Sequence, residues 1–254
     1  MLQQLIPNDL FSLLLVFARV GGAIMLLPGF GENYVSPRIR LLFALAITVV
    51  LTPVVIDKVP GQPDSLLGVF FLVGGEVLIG VFFGGLARIM VSALHVSGTI
   101  IGFQASLGNA TLLDPGTEQQ ASLVATFVNV IGVFLIFAAD LHHLMLMALV
   151  DSYSVFLPGA PPPMSDLSET VSRVFSQSFA LGVQIAAPFI VVGLVFYIGV
   201  GLLARLMPQV QVFFIAMPIQ IMLGFLLMVL TLSAGMLWFL ANYESMFTGF
   251  LGRG

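Results

Sequence analysis

Three ionisable side chains lie inside stretches that are otherwise apolar: Arg19 in FARVGG, Glu76 in GGEVLIG and Arg88 in GGLARIM. A charge at the centre of an apolar helix costs roughly 2.5–3.5 kcal/mol on insertion scales, so each of the three needs a partner, an exit to a boundary or a task. One reading is structural: Glu76 pairs internally with Arg19, and Arg88 snorkels to the edge of the apolar zone. The other is functional, a polar path through an assembly. A lone well-placed carboxylate gives little support to ion coupling, because proton and ion pathways are built from chains of such groups.

The remaining candidates are imidazoles. Asp140, His142 and His143 fall in ADLHHLM, and His95 in SALHVSG. Neighbouring histidines on a helix diverge by about 100°, so the pair is expected at a helix end and not as ligands of a shared metal in the manner of an i, i+4 pair. The chain has no HExxH, no serine in a G-x-S-x-G turn and no Walker lysine; its one lysine is Lys58, in the turn DKVPGQP. No catalytic, cofactor-binding or metal residue is expected. With no cysteine, disulfides and thiolate metal sites are excluded.

The elements that must hold these residues are set by composition. Of 254 residues, 59% are hydrophobic and 8% charged, against about 25% charged in a soluble domain. With a mean hydropathy of +1.13, the apolar surface exceeds what one globular core can hide, and the class is all-α integral membrane protein. The net charge of -4 and the lack of a basic run argue against nucleic acid as a partner. The start MLQQLIPND lacks the basic region and cleavage site of a signal peptide, so the first apolar segment is expected to be retained. Basic residues divide four to three between alternate loops, which assigns no orientation.

Six hydrophobic regions can be drawn, at about 10–30, 41–56, 66–91, 121–139, 174–204 and 212–241. A span needs about 20 apolar residues; the second region is too short and the fifth too long, on the order of 46 Å against a hydrocarbon core of about 30 Å. Pro188 and Pro218 predict kinks in the last two helices. Residues 151–170, DSYSVFLPGAPPPMSDLSET, read as a loop, with Ser165 or Asp166 as the cap of the next helix. Gly80 with Gly84, and Gly98 with Gly102 and Ser106, form smooth stripes at one-turn spacing. These serve generic helix packing or nesting against helices of other subunits. Arg205, Pro208, Gln209 and Gln211 form a tight polar hairpin between the last two helices.

Taken in order, ARVGGAIMLLPGFGENYVSPRIRLLFALAIT, GEVLIGVFFGGLARIM, LLDPG and LLARLMPQVQVFFIAMPIQI cover essentially the whole chain. Their sequence resembles the FliR/SctT family, the type III secretion export-gate proteins. The resemblance implies a fold of kinked helical hairpins packed into a multi-subunit helical gate in the inner membrane at the flagellar basal body. FliP-like and FliQ-like subunits would be its partners, with an FlhB-like subunit at the cytoplasmic side and unfolded secreted proteins as cargo. It also implies a FliP-like part over residues 1–173 and a FliQ-like hairpin over 174–254. Virulence injectisomes carry a homologous subunit, in which the stretch after the hairpin often reads MPIK; here it is Met217, Pro218, Ile219 and Gln220, which leans flagellar. The rival from another class, a stand-alone ion-coupled transporter, predicts inverted repeats, and the two halves show no convincing self-similarity.

The resemblance further implies a plug for the polar stretch GNATLLDPGTEQQ, residues 108–120. On that reading Gly108 and Gly116 act as hinges beside Asn109, Leu112 and Leu113 seal an apolar constriction, and Asp114-Pro115 makes the bend. An inert connector is the alternative.

Overall fold

The computed structural model describes residues 8–107, 123–209 and 211–251. Among the described residues seven α-helices follow one another: α1 (Asn8–Ile24), α2 (Pro37–Val55), α3 (Leu66–Gln104), α4 (Leu123–Ala138), α5 (Leu141–Val155), α6 (Met164–Leu206) and α7 (Val212–Leu251). There is no strand among the described residues. Four helical stretches, Pro37–Lys58, Leu66–Gln104, Met164–Leu206 and Ile215–Gly249, are long and apolar enough to cross a membrane, and a fifth span results if α4 and α5 count as one broken helix. The protein is an all-α membrane protein.

Several expected boundaries move. The second apolar region looks too short because it was counted from Leu41. The helix instead begins at Pro37, with Ser36 as its cap, the Ile39 amide donating to Ser36 Oγ at 3.4 Å. Arg38 and Arg40 thus belong to its first turn, and Arg40 Nε donates to the Val35 carbonyl at 3.1 Å. The expected loop at 151–170 shrinks from both ends, since α5 continues to Val155 and α6 starts at Met164. Ser165 and Asp166 therefore lie inside the first turn of α6 and do not precede it. The prolines at 161–163 end where the helix starts, consistent with their fixed φ and missing donors. α3 and α7 run past residues 91 and 241, where the apolar regions were expected to stop. α6 and α7 each continue through their internal prolines, Pro188 and Pro218.

The chain forms two compact units that interleave in sequence. The first takes residues through Met90, Ile136–Phe175 and the chain from Tyr243. Its core gathers Ile79, Phe82, Phe83 and Leu86 of α3 with Leu167 and Val174 of α6, and Phe156 packs on it. Tyr243 Oη donates to Met145 Sδ at 2.9 Å, tying α7 to α5. The second unit takes the described residues of Val91–Leu135 and Ser176–Asn242. Leu94, Ile101, Ala125, Val128, Ala186 and Phe189 are buried there.

In the most apolar windows of the four long stretches, only 17–28% of the residues are buried within the chain. Leu42, Val49 and Val50 of α2, Val191, Leu194 and Val195 of α6, and Met222, Val229 and Leu230 of α7 are all exposed. That surface must be covered from outside, by lipid or by other proteins.

Candidate functional site

The first unit is organised around Arg19, whose side chain is 0% exposed. Its Nε donates to Glu76 Oε2 at 2.7 Å and its Nη2 to Glu76 Oε1 at 3.0 Å, a two-point bond between α1 and α3. Nη1 donates to Ser152 Oγ at 3.1 Å and Nη2 also to the Phe156 carbonyl at 2.9 Å. The guanidinium lies 3.9 Å from the centre of the Tyr153 ring. One side chain therefore joins α1, α3, α5 and the end of α5. A planar cation with five fixed donors can do this, whereas an ammonium offers only three rotating ones.

The internal pair expected between Arg19 and Glu76 is formed. Its other partners were hidden in the sequence because residues 151–170 read as a loop, and Ser152 and Tyr153 instead sit on the last turn of α5. The run DSY was the available signal, three polar or amphipathic residues ending an apolar segment. Arg88 lies outside this knot: it is 47% exposed and its Nη1 approaches Glu32 Oε1 at 3.8 Å.

The glycine stripe of α3 is what lets α1 approach. A Cβ on Gly80 would run into the Arg19 carbonyl oxygen, and one on Gly84 would stand 2.5 Å from the Ala23 carbonyl oxygen. Gly22 returns the contact from α1, since a Cβ there would stand 3.0 Å from the Val77 carbonyl oxygen. The stripe and the charged knot are thus one construction: the glycines bring the backbones together and Arg19 reaches across at the same level. In the second unit a Cβ on Gly98 would collide with the Ala125 Cα of α4, and Gly102 is buried. The close approach offered by Gly80, Gly84 and Gly98 is taken up within the chain. Ser106 does not extend the stripe as expected, because α3 ends at Gln104 and Ser106 has a left-handed φ of 57°.

The second unit has its own polar contact. Gln220, 5% exposed, donates from Nε2 to the Gln104 carbonyl at 2.6 Å and to Tyr197 Oη at 3.0 Å. Gln104 ends α3, and its carbonyl is one of the acceptors that the last turn of a helix leaves without an intrahelical donor. A side chain from α7 satisfies it. A Cβ on Gly193 of α6 would collide with the Gln104 side-chain oxygen, and one on Gly224 of α7 with Ala105. The end of α3 is seated between α6 and α7 at these two glycines. Only Gln220 drew attention in the sequence; nothing local marks Gln104 or Tyr197 as its partners.

Of the hairpin residues, Arg205 ends α6 with Leu206, and Pro208, Gln209 and Gln211 occupy the short exposed connection to α7. Gly108, Asn109, Leu112, Leu113, Asp114, Pro115 and Gly116 lie outside the described residues. His142 and His143 lie in the first turn of α5, the helix-end position expected of them. Asp140 takes a left-handed φ of 58° between α4 and α5, and one ligand atom from each of Asp140, His142 and His143 lies within 4.8 Å of the others. Both histidines are on regular α-helix, as the divergence argument assumed, but their side chains bring the two imidazole centres to 4.1 Å, and the Asp140 carboxylate is folded back over the first turn.

Long apolar helices, a single buried charge pair, Arg19 with Glu76, among the described residues, and broad apolar faces left open define a membrane protein built to be covered by lipid or other proteins. Residues 10–246 match the family described as bacterial export proteins, family 1, and the chain belongs to that family. It is 42% identical to the flagellar biosynthetic protein FliR of Caulobacter vibrioides over 88% of this chain and 90% of that protein. It is 28% identical to FliR of Bacillus subtilis over 89% of this chain and 88% of that one. The Yop proteins translocation protein T of Yersinia pestis is 26% identical over 91% of this chain and 89% of its own length.

Proposed function

We propose that this chain is a non-enzymatic subunit of the flagellar type III protein-export gate in the bacterial inner membrane. In this reading it packs with FliP-like and FliQ-like subunits, with an FlhB-like subunit at the cytoplasmic side, around a channel for unfolded flagellar proteins. Residues 1–173 take the place of a FliP-like subunit and 174–254 that of a FliQ-like hairpin. The loop at 108–120 closes the channel, with Leu112 and Leu113 as the seal. Similarity to FliR along nearly the full length of both chains supports the flagellar system, and Gln220 in place of the injectisome lysine agrees with it.

The observation that carries the proposal is the length and exposure of α6 and α7. With 43 and 40 residues, they measure about 65 and 60 Å along their axes at 1.5 Å per residue, twice a hydrocarbon core of about 30 Å. Lipid covers half of such a helix, and the remaining apolar surface calls for neighbouring proteins. The test is co-expression of the tagged chain with FliP-like and FliQ-like subunits, followed by affinity purification and imaging of the complex. The three are expected to co-purify as one particle. A monodisperse chain that ignores both subunits and transports a small solute in liposomes would overturn the reading.

A further inference from the structure

We propose that Asp140, His142 and His143 form a binding site for a divalent zinc-type cation at the corner between α4 and α5. Among the described residues this is the one group of three or more potential ligands drawn together, one ligand atom from each lying within 4.8 Å of the others. The donor set, two imidazoles and a carboxylate, is that of open zinc sites, in which water takes the fourth position.

Three features beyond proximity support the assignment. Asp140 is held in the left-handed region, φ 58°, which turns its carboxylate towards the first turn of α5; His143 Nδ1 is 3.6 Å from Asp140 Oδ1. The His142 ring is stacked on Phe137 at 4.9 Å with an interplanar angle of 17°, so α4 supports one face of the imidazole at this corner. Finally, His142 Nδ1 is buried without a hydrogen-bond partner. Buried polar atoms are ordinarily satisfied, and each exception requires a reason, an ion among them.

Zinc bonds of about 2.0–2.2 Å place tetrahedral ligand atoms roughly 3.4 Å apart, so binding requires the ligand atoms to draw in and the two imidazole rings, now 4.1 Å apart with 37° between their planes, to turn until their lone pairs converge. The free amides of the first turn of α5 work against a cation, and the Asp140 carboxylate beside them offsets this. Because the chain has no cysteine and only one other histidine, His95, competing sites are few.

The test is calorimetric titration of Zn²⁺ into the full-length chain in detergent, purified through a tag without histidines. One equivalent is expected to bind, with X-ray absorption showing two imidazole ligands. His142→Ala and His143→Ala should each weaken binding at least about tenfold, since loss of even an outer-shell partner commonly costs about 10–100-fold. His95→Ala should leave it within twofold. Asp140→Asn, which tolerates the left-handed backbone equally well, should weaken binding while leaving the circular dichroism and melting temperature of the chain unchanged. Absence of saturable Zn²⁺ binding to the wild-type chain up to 1 mM, or wild-type affinity in the His142→Ala/His143→Ala chain, would overturn the proposal.

Discussion

Arg19 and Glu76, 57 residues apart in sequence, meet through two hydrogen bonds of 2.7 and 3.0 Å in a place where neither touches solvent to any extent. Breaking a buried pair by removing one partner typically costs about 3–5 kcal/mol, because the other charge is left uncompensated. Glu76→Gln preserves the shape and removes the countercharge, so it is expected to lower the melting temperature sharply in detergent. The single Trp238 offers a fluorescence readout. Replacing both residues by methionine should destabilise less than the sum of the single changes, since it also removes the desolvation penalty. A Glu76→Gln chain that melts with the wild type would show that the pair is not what holds α1 to α3.

The two glycines of GG at 84–85 differ in what a methyl group would meet, and the same contrast separates Gly80 from Gly85. Gly80→Ala drives a Cβ into the Arg19 carbonyl, a backbone atom that can move only with α1, and overpacking of this kind costs about 1–3 kcal/mol. At Gly85 nothing lies within 4 Å, and alanine there gains up to about 1 kcal/mol of helix propensity. Thermal melts of the two purified variants should therefore shift in opposite directions. If Gly85→Ala leaves the isolated chain stable but abolishes motility, Gly85 faces another subunit.

How much of this was legible beforehand depends on the range of the interaction. Arg19 and Glu76 stood out because each is a charge in an apolar run, and there are so few others that their pairing was the natural expectation. The close approach at Gly80 and Gly84 was legible from spacing alone, but its partner was not; the same stripe serves an internal helix or a foreign one, and only the backbone of α1 at Arg19 and Ala23 decides between them. Ser152 and Phe156 were lost because proline-rich composition was read too far in both directions, although helices α5 and α6 flank the prolines closely. The gathering of Asp140 with His142 and His143 was missed for a different reason: the argument weighed only the directions of the two histidines on their helix, and nothing in the sequence marks the left-handed φ of 58° that brings Asp140 to them. No residue pattern announces a helix-terminal carbonyl such as that of Gln104 met by a side chain 116 positions away.

Gln220 tests that last contact. Gln220→Leu removes the donor shared between the Gln104 carbonyl and Tyr197 Oη, leaving a part-buried acceptor unmet at a cost of up to about 1–3 kcal/mol. Tyr197→Phe removes only the second of the two bonds and should cost less, about 0.5–1.5 kcal/mol. Hydrogen exchange in the last turn of α3 reads the effect locally: Gln220→Leu should accelerate it and Tyr197→Phe should leave it near the wild-type rate. Equal exchange in both variants would mean that α3 is fixed at this end by the packing of Gly193 and Gly224 alone.

The end of α3 that Gln220 holds leads directly into residues 108–120, which makes the proposed plug testable apart from the fold. Deleting Asn109 to Gln119 removes Leu112, Leu113, Asp114 and Pro115 and leaves every described helix intact. Closing entropy changes slowly with loop length, so a shortened connection is tolerated as long as the ends of α3 and α4 can still be bridged. The expected phenotype is an assembled gate that no longer seals: the complex co-purifies as before, and cells carrying the deletion show raised conductance and permeability to small solutes. Wild-type conductance in such cells, with the complex intact, would remove the plug role from this loop and leave it a connector.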